Sequence, residues 1–281
     1  MNMKKIILLS TISFGLINSL QAQYTSKVVM KEGQVITAEV SMNMTATQTM
    51  QDQPMEMKTD AVSIQTFKVI GMSETGYTLL STLTKMKLNF DGFGQKQEYD
   101  SENKEKQSGM LAGPLNEKIN KSDTIQIDLT GALIEKPESE KKDKKKGGRG
   151  MGMMFGSNET ANLETAFLII PSDKKVGEKW RITKEKDGIK NIIEYTIESI
   201  EGNVVHLSAK QQVKGTKVGE GQGGMQFTTT MNNLSEATLT VDKTTGLVLS
   251  KTDTTRTDSK MQMMDKEIPS TSVVHTTTVY K

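Results

Sequence analysis

The chain contains no cysteine, and this absence removes several kinds of chemistry at once. Disulfides, thiol nucleophiles and cysteine metal sites are excluded, and a mature N-terminus cannot be lipidated as in a bacterial lipoprotein. Imidazole is almost as scarce, because His206 and His275 are the only histidines. Both lie in strand-like runs, where a lone histidine is usually structural or faces solvent, so neither is predicted to be catalytic.

Neither sign of charge is in excess. The chain has 36 basic and 34 acidic side chains, and two of the basic ones, Lys4 and Lys5, belong to a segment that is predicted to be removed. A nucleic-acid-binding protein normally carries a large basic surplus. No segment after the first approaches the roughly 20 apolar residues that a spanning helix needs. Nucleic acid is therefore excluded as a partner, and the mature chain is predicted not to span a membrane.

Residues 1–22 have the composition of an export signal. Lys4 and Lys5 form a basic start, Ile6 begins a short apolar stretch, and Ala22 supplies the small residue before a cut at Gln23. We predict that the mature chain is exported and soluble.

Residues 34–50 carry the clearest structural signal. Seven of the eight even positions from Ile36 to Met50 are apolar, and every odd position from 37 to 49 is polar. Side chains alternate between the two faces of a strand, so this pattern predicts one long strand whose even positions point inward. A turn at 51–54 and a second run ending at Ile70 complete an extended antiparallel hairpin.

Other strand-like segments follow, and helix is scarce. The segments are 77–90, 123–130, 132–135, 193–200, 204–209, 237–241, 247–251 and 273–280. Residues 111–120 are the best helical candidate, although Gly113 and Pro114 weaken it. We predict an all-β fold of about 10–14 long antiparallel strands, arranged as a curved half-barrel or a duplicated β-sandwich.

Residues 136–160 divide the chain into two parts. They are rich in Lys, Gly and Met. Such a composition buries too little apolar surface to offset the conformational entropy lost on folding, so we predict a flexible loop. Docking of the basic run 141–149 to an anionic lipid is the alternative. The parts 23–135 and 161–281 are predicted to be β-rich halves. Both begin with a glycine turn and repeat a similar order of strands, which suggests an internal duplication.

Four motifs are distinctive together: 24–30 before Glu32-Gly33, the Met/Thr hairpin 42–57, the run 167–171 leading into 176–180, and the turn 242–246. They resemble an exported family of Gram-negative bacteria catalogued as domain of unknown function 6263. The resemblance covers most of 24–281 and implies a periplasmic or extracellular address, but no activity and no catalytic residue. More distantly, long strands around few helices resemble the half-barrel lipid and lipoprotein carriers of the periplasm, by analogy of fold alone.

No catalytic constellation is found. Glu198 and Glu201 can imitate a glycosidase dyad, but scattered acids on strands are usually solvated. Gly219, Gly221 and Gly224 match G-x-G-x-x-G, yet a strand-like run follows, so no helix N-terminus is predicted there to hold a pyrophosphate. We therefore predict no enzyme and no cofactor, with a hydrolase as the third hypothesis.

Methionine is unusually frequent, with 19 residues. Met-x-Met occurs at 42/44, 55/57, 151/153 and 261/263. Three interpretations are open: ordinary core packing, a surface that adapts to apolar partners, and thioether ligands of Cu(I).

The leading hypothesis is an exported, non-enzymatic protein that binds an apolar small molecule or lipid, or an envelope component, on a Met/Leu-lined sheet. A long curved sheet leaves a face that needs covering, and helix is too scarce to cover it. The candidate ligand-binding residues are Met42, Met44, Leu80, Met86 and Leu88. A Met-rich Cu(I)-handling protein is the main alternative, and no metal site is assigned.

Overall fold

The computed structural model describes residues 24–50, 53–109, 111–134, 161–220, 226–263 and 266–281, and in them strand predominates. The strands are β1 (Val35–Met50), β2 (Gln53–Met72), β3 (Gly76–Gly92), β4 (Gln95–Asp100), β5 (Ser122–Asp128), β6 (Lys179–Lys186), β7 (Ile189–Glu201), β8 (Val204–Glu220), β9 (Gln226–Asp242), β10 (Val248–Met263) and β11 (Lys266–Tyr280). The helical pieces are a 3-10 turn (Lys104–Lys106), α1 (Ala112–Asn116) and α2 (Ala161–Glu164). The predicted all-β class is confirmed. The predicted export signal 1–22 and loop 136–160 lie outside the described residues.

All eleven strands belong to one antiparallel sheet, in the order β4-β3-β2-β1-β11-β10-β9-β8-β7-β6. β5 pairs with the first half of β3, beside β4, so these two short strands share one edge. β11 pairs with β1, from Tyr280 opposite Ala38 to Ser270 opposite Gln48. The two halves of the chain therefore form a single continuous sheet, which is not closed, because β6 lies at the opposite edge.

The alternation of β1 is confirmed in the structure. Ile36, Ala38 and Ala46 are buried, whereas Ser41 and Asn43 between them are exposed. β2 pairs with β1 in an unbroken register, as the hairpin prediction requires.

The strands of the second half are much longer than predicted. β8 was expected at 204–209 and continues to Glu220, and β10 was expected at 247–251 and continues to Met263. Their outer portions are rich in Thr, Lys and Gln, which give little hydrophobic alternation but pair through backbone hydrogen bonds. The short strands β4 and β6 were not recognised as separate strands for the same reason.

One face of the sheet carries the hydrophobic core, and we call it the inner face; the opposite side is the outer face. The core gathers at one end of the strands, the base, which includes Ile36, Phe67, Leu79, Leu207 and Leu239. Residues 24–30 and 163–170 lie on this core outside the sheet, with Val28 and Leu163 fully buried. The other end, where the β1–β2, β8–β9 and β10–β11 hairpins turn, is the far end.

Two hydrogen bonds from consecutive residues show that the sheet is curled at its base. The Val28 N–H donates to the Leu129 carbonyl after β5 (2.7 Å), and the Val29 N–H donates to Thr245 between β9 and β10 (3.0 Å). In a flat sheet β5 and β10 would lie five strand spacings apart, about 24 Å. The inner face is therefore concave at the base. The half-barrel form of the prediction is confirmed, and the described strands do not form a face-to-face sandwich.

The two halves begin with the same hydrogen-bonded turn. The Gly33 N–H donates to the Val69 carbonyl (2.9 Å), and the Val69 N–H donates back to the residue after the glycine (2.8 Å). Gly177 and Ile197 repeat this pair of bonds at 2.8 and 3.2 Å. Both glycines have positive φ, 76° and 84°. This equivalence matches β1 with β6 and β2 with β7.

A second repeated turn supports the same duplication. The Asp128 carboxylate accepts hydrogen bonds from the N–H and hydroxyl of Thr130 (2.8 and 2.7 Å). The Asp242 carboxylate accepts the same two bonds from Thr244 (2.8 and 2.6 Å). Because the first turn follows β5 and the second follows β9, these strands are also equivalent.

Candidate functional site

Beyond the base, the inner face continues to the far end as rows of directly opposed residues. We call one of these rows the central row. Its residues, in order across the sheet, are Leu88, Ala61, Met42, Thr276, Asp253, Ala237, Ala209, Tyr195 and Trp180. It crosses nine strands, from β3 to β6.

The methionines of the long strands lie on the inner face. The register places eight there: Met42, Met44, Met55, Met57, Met86, Met231, Met261 and Met263. Met57 is buried against Ala46 and Phe90, whereas Met42 and Met44 are only half-buried. Met72, at the exposed end of β2, is set apart from this group by a bulge.

The structure brings four of the five predicted ligand-binding residues onto one face. Met42 and Leu88 lie in the central row, Met44 lies one row towards the far end, and Met86 lies one row towards the base. Leu80 lies on the outer face, where it pairs with Lys68 of β2, so its placement with the others was wrong. Two leucines stand side by side in β3, and Leu79 is the one that points into the core.

Leu88 is not open to a ligand either. It is 1% exposed and packs with Tyr99 of β4 and with Leu111 and Ala112 at α1. The Tyr99 hydroxyl donates to Asn116 Oδ1 (2.8 Å), which fixes α1 against this edge of the sheet. Leu88 is therefore enclosed, which corrects its prediction as a ligand-binding residue. Met86 packs against the same cluster and is half-buried, and Met42 in the central row is half-buried as well.

The middle of the inner face is polar, which the sequence analysis missed. We call this region of β9, β10 and β11 the polar strip. Its hydroxyl and amide residues are Asn233, Ser235, Thr255, Thr257, Ser272, Thr276 and Thr278, with Val274 lying among them on β11. The inner face thus has an apolar flank on β1–β3, a polar strip, and a second apolar flank that includes Ile193 and Tyr195 on β7. Alternation of Thr with other polar residues hides such a strip from hydrophobic periodicity.

An ion pair lies within the polar strip. Lys251 Nζ and Asp253 Oδ1 are 3.0 Å apart, and their side chains are only 25% and 14% exposed. Lys251 faces Leu239 and the buried Thr278, while Asp253 faces Ala237 and Thr276. On the described strands, the other inward-facing charged residues lie on the edge strands β5 and β6 or near a hairpin end at the far end.

An aromatic pair ends the central row on the other side. The Trp180 and Tyr195 rings stack with centroids 5.0 Å apart and planes inclined by 20°. The Trp180 Nε1 is buried and has no hydrogen-bond partner among the described residues, and burial raises the pKa of Tyr195. Ala209 and Ala237 lie between this pair and Asp253, so small side chains separate the aromatic rings from the ion pair.

The residues weighed for catalysis do not assemble. His275 Nδ1 contacts Thr254 Oγ1 on the outer face (2.9 Å), and His206 Nε2 is 3.9 Å from Glu201 Oε2. The Ser208 hydroxyl donates to Glu198 rather than to a histidine. Within the described ranges no three His, Asp or Glu residues gather as a metal site.

Gly219 lies on β8, and the other two glycines of the G-x-G-x-x-G match, 221 and 224, lie outside the described residues. β9 begins two residues after the last of them. No helix in the described part of the chain is long and apolar enough to cross a membrane.

The outer face is charged where the inner face is apolar. Arg181 donates to Glu194 (3.0 Å), and this hydrogen bond together with nearby Lys179 lowers the pKa of Glu194. A shallow depression of about 350 Å³ opens here, with Lys210 and Leu234 among its lining residues. Charged side chains such as Glu194 line it together with Ile192 and the exposed Leu234, so it is an open depression of mixed character.

Residues 74–248 match the model of the family described as Family of unknown function (DUF6263). The match covers more than half of the chain. The protein belongs to this family. No curated protein matches the chain.

Two solved structures show weak likeness. Lipovitellin, in a structure titled for its lipid–protein interactions, is 10% identical with a TM-score of 0.49; the alignment covers 90% of this chain and 25% of lipovitellin. This chain therefore spans about a quarter of lipovitellin's length. An outer membrane channel from Pseudomonas putida F1 is 6% identical with a TM-score of 0.23, over 91% of this chain and 98% of the channel.

Proposed function

We propose that this DUF6263 protein is an exported, non-enzymatic carrier that binds a lipid-like molecule on the inner face of its sheet. The observation that carries the proposal is the placement of eight strand methionines on that one face. If methionine only filled the core, it would concentrate at the base, where the core is dominated instead by Ile, Val, Leu and aromatic residues.

The physical character of these side chains suits a variable apolar ligand. Methionine is unbranched and polarizable, so it can adapt to ligands of different shape. Met42, Met44 and Met86 remain half-buried, and the described segments outside the sheet lie at the base or over Leu88. Half-buried apolar groups on a face of this size are typical of binding sites.

The proposal is tested by titrating the mature protein with a fluorescent fatty-acid probe, dansyl-undecanoic acid. The double variant Met42→Glu/Met44→Glu should weaken binding at least about tenfold, because two carboxylates would border the acyl chain. The matched control is Thr45→Glu/Thr47→Glu, which adds the same charge to the same strand on the outer face. Equal affinities of the two double variants, or no binding by wild-type protein, would contradict the proposal.

Copper is the second candidate, and one observation favours it. Met42/Met44 and Met55/Met57 are Met-x-Met pairs on adjacent strands of the same face. Thioethers are soft ligands that select Cu(I). Anaerobic Cu(I) titration of wild type and of Met42→Leu/Met44→Leu decides between the hypotheses. We expect no tight complex; a complex that the double variant abolishes while probe binding persists would favour copper handling.

A further inference from the structure

The Lys251–Asp253 pair has no evident structural purpose. Its two charges are mostly withdrawn from water between apolar and hydroxyl neighbours on the inner face. The desolvation cost of such a pair can equal or exceed its Coulombic gain, so it is weak support for folding. The other close ion pairs with described geometry, such as Lys87–Asp100, are more exposed.

Both members of the pair keep unused hydrogen-bonding capacity. A lysine ammonium has three donors and a carboxylate has about four acceptor sites. Among the described residues, Lys251 has only its ion pair with Asp253, and Asp253 accepts only one long hydrogen bond, of 3.4 Å, from the Thr255 hydroxyl. The polar strip beside them supplies further hydroxyl groups, so the site can bind a charged, hydrogen-bonding group.

We infer that the ligand is a phospholipid with a zwitterionic headgroup, bearing one phosphate and one ammonium, whose phosphate binds Lys251 and whose ammonium binds Asp253. This inference rests on the proposed function. Charge complementarity carries it, because a headgroup with both charges satisfies the two partners at once and leaves the site neutral. An anionic lipid would leave Asp253 facing a phosphate, and a fatty acid would leave Asp253 without a cation.

The surroundings provide room for the rest of such a molecule. Ala209 and Ala237 separate Asp253 from Tyr195 across three strand spacings, about 14 Å. In the other direction, Met42 lies two strands from Asp253 in the same row, about 10 Å away. From Asp253 to Met263 the inner face of β10 continues for about 34 Å, enough to lay an acyl chain along the strands.

The chain itself contains the reporter for the experiment. Trp180 is the only tryptophan and lies in the central row with Asp253. The mature protein is titrated below micelle concentration with lysophosphatidylethanolamine, lysophosphatidylglycerol and dodecanoate, and Trp180 emission is followed. Free phosphoethanolamine distinguishes headgroup binding alone from lipid binding. We expect lysophosphatidylethanolamine to bind at least about tenfold more tightly than the other two amphiphiles, and free phosphoethanolamine to bind weakly.

The variants Lys251→Gln and Asp253→Asn separate the two contacts. Each should weaken lysophosphatidylethanolamine binding about tenfold, and Asp253→Asn should also abolish the preference over lysophosphatidylglycerol. Lys260→Gln is the control, because Lys260 lies on the outer face of the same strand in a pair with Glu267 (2.8 Å). Circular dichroism and the urea midpoint verify folding, and dodecanoate binding verifies an intact apolar face in each variant.

The outcomes separate this inference from the proposed function. Equal affinity for all three amphiphiles, unchanged by either variant, would refute the headgroup assignment and leave the carrier function standing. Failure of every amphiphile to bind folded wild-type protein would refute both. Tight binding of free phosphoethanolamine, equal to that of the lysolipid, would show that the pair binds a soluble zwitterion and would overturn the phospholipid assignment.

Discussion

Met42 and Thr45 lie on opposite faces of β1, and the effect of the same substitution at each position on stability measures how the two faces differ. Met42 is half-buried on the inner face between Ala61 and Thr276, so Met42→Asp partly withdraws a carboxylate from water in the same row as Asp253. We expect the free energy of unfolding to fall by about 1–3 kcal/mol, measured by urea denaturation. Thr45→Asp, opposite Lys58 on the outer face, should stay within about 0.5 kcal/mol of wild type. Equal losses would mean that the faces are assigned wrongly.

Gly131 combines a positive φ with a close approach, and a second glycine separates the two effects. Its φ is 85°, and a Cβ there would lie 2.6 Å from Cβ of Phe167. Gly33 has a similar φ of 76°, but no atom of the described residues lies within 4 Å of such a Cβ. Gly33→Ala should therefore cost about 1 kcal/mol from backbone strain alone. Gly131→Ala should cost at least about 2 kcal/mol, because Phe167 must also move. Thermal denaturation compares the stability of the two variants. Similar losses of stability would show that the Phe167 side chain moves aside at little energetic cost.

At the scale of the elements, the turn after β5 makes the stability of the fold depend on pH, and the sign of this dependence follows from the pKa of Asp128. Burial alone would raise the pKa of Asp128, but hydrogen bonds from Thr130, Gly131 and Ala132 outweigh it and the pKa is lowered. The unfolded chain therefore binds more protons in acid. The contribution of Asp128 to stability is complete above its ordinary pKa of about 4 and is lost as the pH falls below that. Asp128→Asn should flatten the loss of stability between about pH 5 and pH 2.

Urea midpoints at a series of pH values check this expectation. The control is Asp123→Asn, at the exposed start of the same strand. The prediction fails if Asp128→Asn loses stability in acid as steeply as wild type does.

The β1–β2 hairpin was predictable from the sequence because its alternation is a local property of sixteen residues, with the same period as the fold. The length of β8 and β10 was not, because their outer halves are held by backbone pairing between polar strands. The candidate site was likewise predictable only where its signal lies within one strand. Met42 and Met44 follow from alternation within one strand, whereas Lys251 and Asp253 become a site only through the registers that align β10 with β9 and β11. Leu80 was placed on the wrong face because two adjacent leucines do not show which of them points inward.

At the scale of the whole molecule, the two ends of one open sheet differ in composition. At the base, the segments 24–30 and 163–170 cover the curled sheet over a core of Ile, Val, Leu and aromatic residues. Towards the far end the same face carries methionines and a polar strip instead. The equivalent turns at Asp128 and Asp242 both lie at the base, so both halves of the chain contribute to it. The base therefore supplies much of the stability, and the proposed binding region lies on the rest of the inner face.

The N-terminal segment bonds to both sides of the curled base, and variants in it test whether it holds the two halves of the chain together. Val28 is 0% exposed in the core, whereas its neighbour Val29 is 40% exposed, although their N–H groups bond to opposite sides of the curled base. Val28→Ala should lower the free energy of unfolding by about 2 kcal/mol, and Val29→Ala should leave it nearly unchanged. A chain that begins at Lys31 loses Val28, Met30 and both backbone bonds. In hydrogen exchange it should lose protection on β5 and on the β9–β10 turn together, because one segment bridges them. Loss of protection on one side alone would mean that the halves of the base are stable independently.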